Sequence, residues 1–237
     1  MRIIHLSDFH LNNDENSYHV MDPLFEDLKK FHEGEKIDLV IFSGDLIDKG
    51  GKSFKDPKDG FLAFQERVIE RIRREINLTA DKFIICPGNH DTKRELDSKI
   101  DEMGLSHYLV DAQLTGEFQK ESKGFDKIKR IQPYKEFERS LYNQFPTINV
   151  TDYETIHDLN IAEKKVAVAA LNTSWRCYDS ATDKGNLILG ENQIINQINV
   201  IENADIKIAV MHHSYDELKD FERLNIKNLL NKHFNLV

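Results

Sequence analysis

Cysteine is nearly missing from this chain. Cys86 and Cys177 are the two in 237 residues, and their spacing matches neither a disulfide framework nor a thiolate zinc knot. That scarcity fits a reducing compartment. An excess of basic charge is missing too: 32 Lys and Arg stand against 41 Asp and Glu, for a formal charge of -9. A broad cationic face for holding duplex nucleic acid is therefore disfavoured, although metal ions can neutralise phosphate where side chains do not. No apolar run approaches the roughly 18 residues of a membrane span. The opening MRIIHLSDFH is broken by His5 and ends in charge, so it is neither a signal peptide nor a membrane anchor. No internal repeat or low-complexity tract interrupts the chain. A soluble, cytoplasmic protein with no membrane partner is the expectation.

What is present reads as alternating strands and helices. Arg2 to Leu6 is a short strand with Ile3 and Ile4 adjacent, as in a strand buried on both faces. A polar stretch at 12–17 leads to a helix through Phe31, and IDLVIF at 37–42 is a second strand running into SGDLID. Residues 60–76 form a long amphipathic helix with Phe61, Phe64, Val68, Ile72 and Ile76 on one face. The strand at 82–86 delivers PGNHD. Residues 92–146 are highly charged, with apolar positions at helical spacing, and are expected to be a helical cap or side insertion; KESKGFDKIKR within them reads as an exposed loop. Strands return in TDYETIHDL, KKVAVAALN and DIKIAVMHHS. GENQIINQINVIENA is expected to be one helix opened by Glu191, and NIKNLLNKHF another. FNLV looks like the opening of a further strand, so the chain reads as the N-terminal part of a longer protein, with 1–237 as one domain. Periodicity by itself supports an α/β fold with helices on both faces of the sheet structure.

The informative feature is placement. Asp8 and His10, Asp45 and Asp48, Asn89, His90 and Asp91, and His212 and His213 all fall just beyond the carboxyl ends of expected strands. Open α/β sheets bind ligands there. Each piece alone is weak, since a Gly-Asp pair is usually a turn and Asp8 with His10 could be a surface pair. Four arriving at one edge are hard to attribute to accident. Carboxylate, imidazole and amide oxygen without thiolate suit divalent manganese, iron, nickel or zinc. An all-oxygen calcium or magnesium loop would not need histidine.

These residues resemble the calcineurin-like metallophosphoesterases, whose motifs are Asp-x-His, Gly-Asp-x-x-Asp, Gly-Asn-His-Asp or -Glu, a strand-terminal His, and Gly-His-x-His. The first four stand here as DFH at 8–10, GDLID at 44–48, GNHD at 88–91 and MHH at 211–213; the fifth is absent. The resemblance implies a four-layer αββα sandwich, truncated at its C-terminus. It implies two divalent ions, manganese first with iron, nickel or zinc as alternatives, with Asp8 and His10 on one, Asn89 and His212 on the other, and Asp45 bridging. With the fifth motif absent, those ions would be held less tightly. It implies hydrolysis of phosphate mono- or diesters by a metal-bridging hydroxide, with His90 facing the phosphate and Asp91 orienting His90 as the catalytic pair. Asp48 is expected to hold a ligand loop or a histidine.

His213 is left to phosphate contact or loop support, and His5 to the core or to support of the site. Arg176 reads equally as a second-phosphate ligand or a solvated arginine, and Lys93 and Arg94 as pocket charge or plain surface. Trp175 reads as loop packing ahead of base stacking. Expected partners are a phosphate ester, a nucleotide or nucleic-acid end among them, and the remainder of a longer chain. The alternative is a weakly active or non-catalytic module of the same fold, serving as an interaction or effector platform.

Overall fold

The computed structural model describes residues 1–14, 21–122 and 128–237. Among the described residues, seven strands form two sheets. The first sheet holds β1 (Ile3–Leu6), β2 (Leu39–Phe42) and β3 (Phe83–Ile85) in the order β1-β2-β3, all parallel, with Ile3 opposite Leu39 and Val40 opposite Phe83. The second holds β4 (Ile148–Val150), β5 (Thr155–Ile161), β6 (Lys164–Ala170) and β7 (Ile206–Val210) in chain order; β4 to β6 are antiparallel neighbours, while β6 and β7 run parallel. Ala162 and Glu163 both take positive φ, 46° and 64°, in the two-residue turn from β5 to β6. That left-handed pair is the turn whose twist matches the flanking strands.

Side chains alternate across each strand, and the alternation builds the layers. Leu39 and Ile41 of the first sheet pack against Val166, Val168, Ala170, Ile208 and Val210 of the second, forming the middle of the molecule. Val40, Phe42, Phe83 and Ile85 point the other way, into a core shared with helices. Those helices are α1 (Asp22–Gly34), α2 (Pro57–Phe64), a π turn (Gln65–Ile69) and α3 (Glu70–Ile76). On the far side, Ala169 and Ala209 pack beneath α7 (Asn192–Ile195), α8 (Ile198–Glu202) and α9 (Asp220–His233). The result is helix, sheet, sheet, helix, the four layers that the resemblance implied.

Several expectations need adjusting. β1 is a sheet edge with one neighbour, so Ile3, Ile4 and Leu6 are half-buried and His5 is exposed; the strand is not covered on both faces, and His5 is not a core residue. The long helix starts earlier than residue 60, because Asp56 caps it by accepting from the Lys58 amide and Pro57 occupies the first turn. The single helix expected from Glu191 divides into α7 and α8, and the Glu191 carboxylate receives Asn225 Nδ2 at 2.5 Å instead of capping.

Within 92–146 lie α4 (Lys99–Tyr108), α5 (Ala112–Glu121) and α6 (Gln132–Tyr142). α6 is part of the sandwich body: Tyr134, Phe137 and Leu141 enter the main core, and Tyr142 Oη donates to the Phe83 carbonyl at 2.7 Å. The cap description therefore does not extend to α6, whose i, i+3, i+7 stripe is paired with Phe61 and the sheet. Of KESKGFDKIKR, expected to be an exposed loop, 123–127 lie outside the described residues, as do 15–17 of the polar stretch; Lys120 and Glu121 end α5, and Ser122, Ile128 and Arg130 are buried rather than exposed. Leu236 bridges to Ile208 in parallel register, with its carbonyl accepting from Ala209 at 2.9 Å, so FNLV does begin to pair beside β7. Among the described residues no helix is long and apolar enough to cross a membrane.

Candidate metal centre

The strands of the first sheet release two loops that run side by side. Asp8 N–H donates to the Gly44 carbonyl at 3.2 Å, His10 to Asp45 at 2.9 Å, Leu11 to Leu46 at 3.0 Å, and Asp48 donates back to Leu11 at 3.0 Å. The backbone turns sharply to keep this pairing. Asp8, His10, Asp45 and Lys49 all have φ between 45° and 57°, a region costly for residues other than glycine. Gly44, at φ 105°, sits where a Cβ would come within 2.6 Å of His212 Nδ1. At Gly88 a Cβ would fall 2.1 Å from Asp45 Oδ1. Both glycines are required because backbone and functional side chains approach one another too closely for any side chain.

Asp45 is the centre of the arrangement. It is 3% exposed, and its Oδ1 accepts from the His90 amide at 2.8 Å. Its Oδ2 stands 3.7 Å from His10 Nε2 and 3.6 Å from His212 Nε2, while His10 Nε2 is also 3.7 Å from Asp8 Oδ1. Two ligand groups result, His10 with Asp45 and His90, and Asp8 with Asp45 and His212. The separations are long for hydrogen bonds but suit donor atoms around one ion, which stand roughly 3 to 3.5 Å apart when each bond is about 2.0–2.2 Å.

The tautomer of His212 points the same way. Its Nδ1 lies 2.7 Å from the Ser43 carbonyl, which can only accept, so Nδ1 carries the proton and the lone pair of Nε2 faces Asp45. Ser43 was not singled out from the sequence, because a backbone carbonyl leaves no residue-type signal. Its Oγ also meets His5 Nε2 at 2.6 Å, which ties the exposed His5 to the neighbour of a candidate ligand. Among the described residues, the recorded charged contacts of Asp8, Asp45 and Asp48 are all with histidine, none with Lys or Arg. The donor set and its uncompensated negative charge fit divalent ions.

Two assignments change. Asp91 does not orient His90. Its carboxylate is buried, with Oδ1 accepting from Ile47 N–H at 3.1 Å and Oδ2 from Gly88 N–H at 2.8 Å, so it joins the second and third strand-end loops. Burial, followed by the negative charge of Asp45, pushes its pKa up to about 8. The carboxylate beside His90 is Asp48, whose Oδ1 is 3.2 Å from Nδ1. His90 also packs edge-to-face on His10 with centroids 4.4 Å apart.

Arg176 is the other change. It is 5% exposed and forked onto Glu102, with Nη1 to Oε2 at 2.9 Å and Nη2 to Oε1 at 2.5 Å, so it is neither solvated nor free for phosphate. Trp175 beside it is fully buried between Phe118 and Tyr153, a packing residue. His213 supports a loop: its Nδ1 pairs with Thr173 Oγ1 at 2.8 Å, and burial, with His212 adjacent, lowers its pKa to about 3. Asn89 and His90 line a cleft of about 320 Å³ together with Lys49, Lys52 and Arg94.

Comparison with known proteins agrees with this chemistry. A family model described as calcineurin-like phosphoesterase matches residues 1–235. One of the subunits of the nuclease SbcCD from Staphylococcus saprophyticus is 27% identical over 113 residues, a stretch making up 46% of this chain and 28% of that protein.

Proposed function

Because the chain belongs to the calcineurin-like phosphoesterases and is thus a metallophosphoesterase, we propose that it hydrolyses phosphate mono- or diesters at the Asp45 centre with two divalent ions, manganese foremost. The observation that carries this reading is the sharing of Asp45 by two ligand groups that are otherwise distinct. The family pattern would put Asp8 and His10 on one ion and Asn89 and His212 on the other, whereas the donor atoms here stand together as His10, Asp45 and His90 and as Asp8, Asp45 and His212; Asp45 is common to both divisions and would touch both ions. Bound ions would supply Lewis acidity, activating a water and neutralising charge on the phosphoryl oxygens.

The chain's own groups do the rest. His90, its imidazole steadied by Asp48, faces the substrate side and delivers a proton to the leaving oxygen. Asp91, through Ile47 and Gly88, keeps the Asp45 and Asn89 loops in register. The partial relation to a nuclease component favours diesters, nucleotides or nucleic-acid ends among the substrates. Two free, buried cysteines suit a reducing, cytoplasmic setting.

The test is manganese-dependent hydrolysis of bis-p-nitrophenyl phosphate and p-nitrophenyl phosphate, with Asp45→Asn as the blank and bound manganese measured in parallel. Turnover that the blank lacks supports the reading, and the preferred ester sets the class. Manganese bound without turnover of either ester overturns it and leaves an interaction module of the same fold.

A further inference from the structure

The cleft beside His90 has a charge unlike the rest of the protein. Lys49, Lys52 and Arg94 lie on its wall, with Glu95 as the one carboxylate, in a chain of net charge -9. Arg94 is partly engaged, its Nη2 3.0 Å from Ser180 Oγ and 3.9 Å from Asp183. Lys49 and Lys52 are not: among the described residues neither ammonium has a recorded carboxylate partner, and both are exposed. Unpaired cations converging on one concavity are a site for an anion.

The backbone holds Lys49 there at a cost. Its φ is 46°, uncommon for lysine, and Gly50 and Gly51 follow at 63° and 73°. Gly50 packs so tightly that a Cβ would lie 2.6 Å from the Thr92 carbonyl. The Lys49 amide stands 3.3 Å from His90 Nδ1, the nitrogen that faces Asp48, so this constrained turn sets the lysine backbone beside a residue of the centre. His90 belongs both to the cleft and to a ligand group of Asp45, so the cleft adjoins the centre.

We propose that the cleft lined by Lys49, Lys52 and Arg94 is a subsite for a second phosphate, so that the preferred substrates carry another phosphoryl group besides the one that is cleaved. This rests on the hydrolytic reading of the Asp45 centre and narrows its substrate class. Simple esters with a single phosphate leave the subsite unused.

Calorimetric titration of the manganese-loaded protein with adenosine 5′-monophosphate and adenosine 3′,5′-bisphosphate tests it. The wild type is expected to bind the bisphosphate at least about tenfold more tightly, as two added charge-assisted contacts would give. Lys49→Gln combined with Lys52→Gln, which keeps the stems and removes the charge, should bring the ratio to within about twofold, and Lys49→Arg with Lys52→Arg should retain it. A wild-type ratio near one, or a ratio the glutamine variant leaves intact, overturns the subsite. A strong ratio in a protein that hydrolyses no ester would instead sink the hydrolytic reading while the subsite stands.

Discussion

Two charged clusters in this protein solve the same problem in opposite ways. Around Glu102, acid and base are matched: the carboxylate receives Arg176 and Arg130 together, Arg130 Nε also meets Asp97 at 2.7 Å, and Arg130 Nη1 reaches the Cys177 carbonyl at 3.2 Å. Burial would raise the Glu102 pKa, but the two guanidinium charges outweigh it and hold it below the ordinary value. Around Asp45, three aspartates and three histidines converge with no recorded Lys or Arg contact among the described residues. The first cluster is complete as protein and ties α4 to the loop after β6. The second has no such basic partner among the described residues, and under the proposed function divalent ions would balance it. Charge balance therefore separates a structural network from a binding centre more sharply than residue type does, since both contain the residues a phosphate enzyme uses.

The largest expected effect comes from crowding the incomplete cluster. Gly88→Ala would put a methyl 2.1 Å from Asp45 Oδ1, and hydrolysis of bis-p-nitrophenyl phosphate should fall roughly a thousandfold together with bound manganese. Retained metal and activity would break the view that Asp45 is held in one position.

Glu102→Gln attacks the complete cluster. Buried Arg176 loses its carboxylate and Arg130 keeps Asp97 alone, and urea unfolding should show a loss of about 3–5 kcal/mol. Saturating manganese should still raise the melting temperature of this variant, and should not raise that of Asp45→Asn. If manganese no longer stabilises Glu102→Gln, the two clusters are not independent.

A smaller effect is expected at the rim of the centre. Asp48→Asn removes the carboxylate beside His90 and should lower kcat about 10- to 100-fold with KM little changed. The same loss from Asp91→Asn, with Asp48→Asn silent, would restore the orienting role first expected of Asp91.

The smallest concerns His157, which avoids charge altogether. It is fully buried beside Tyr142, and burial lowers its pKa to about 3. Below its ordinary pKa the unfolded chain takes up a proton that the folded protein refuses, so stability falls as pH drops from about 6.5 toward 3. Roughly 1–2 kcal/mol should be lost between pH 7 and pH 5 by this route. His157→Phe should flatten that part of the stability profile; an unchanged slope would mean that other groups carry it.

What the amino-acid order determined by itself was local. Strand alternation, the residues directly after each strand, and the Gly-Asp and Gly-Asn-His-Asp turns were enough to place Asp8, His10, Asp45, Asn89, His90 and His212 at one edge, because a strand's carboxyl end and its next few residues are neighbours in chain and in space. FNLV was legible as an opening strand for the same reason. What the tertiary structure decided was pairing over distance. Asp48 meets His90 from 42 residues away, Arg176 meets Glu102 across 74, and the Ser43 carbonyl sets the His212 tautomer across 169. No periodicity encodes such partners, and a charged residue reads alike whether it faces a substrate or another charge. The contacts of Asp91, Arg176 and His5 were therefore decided by which loops and strands the packed layers bring together.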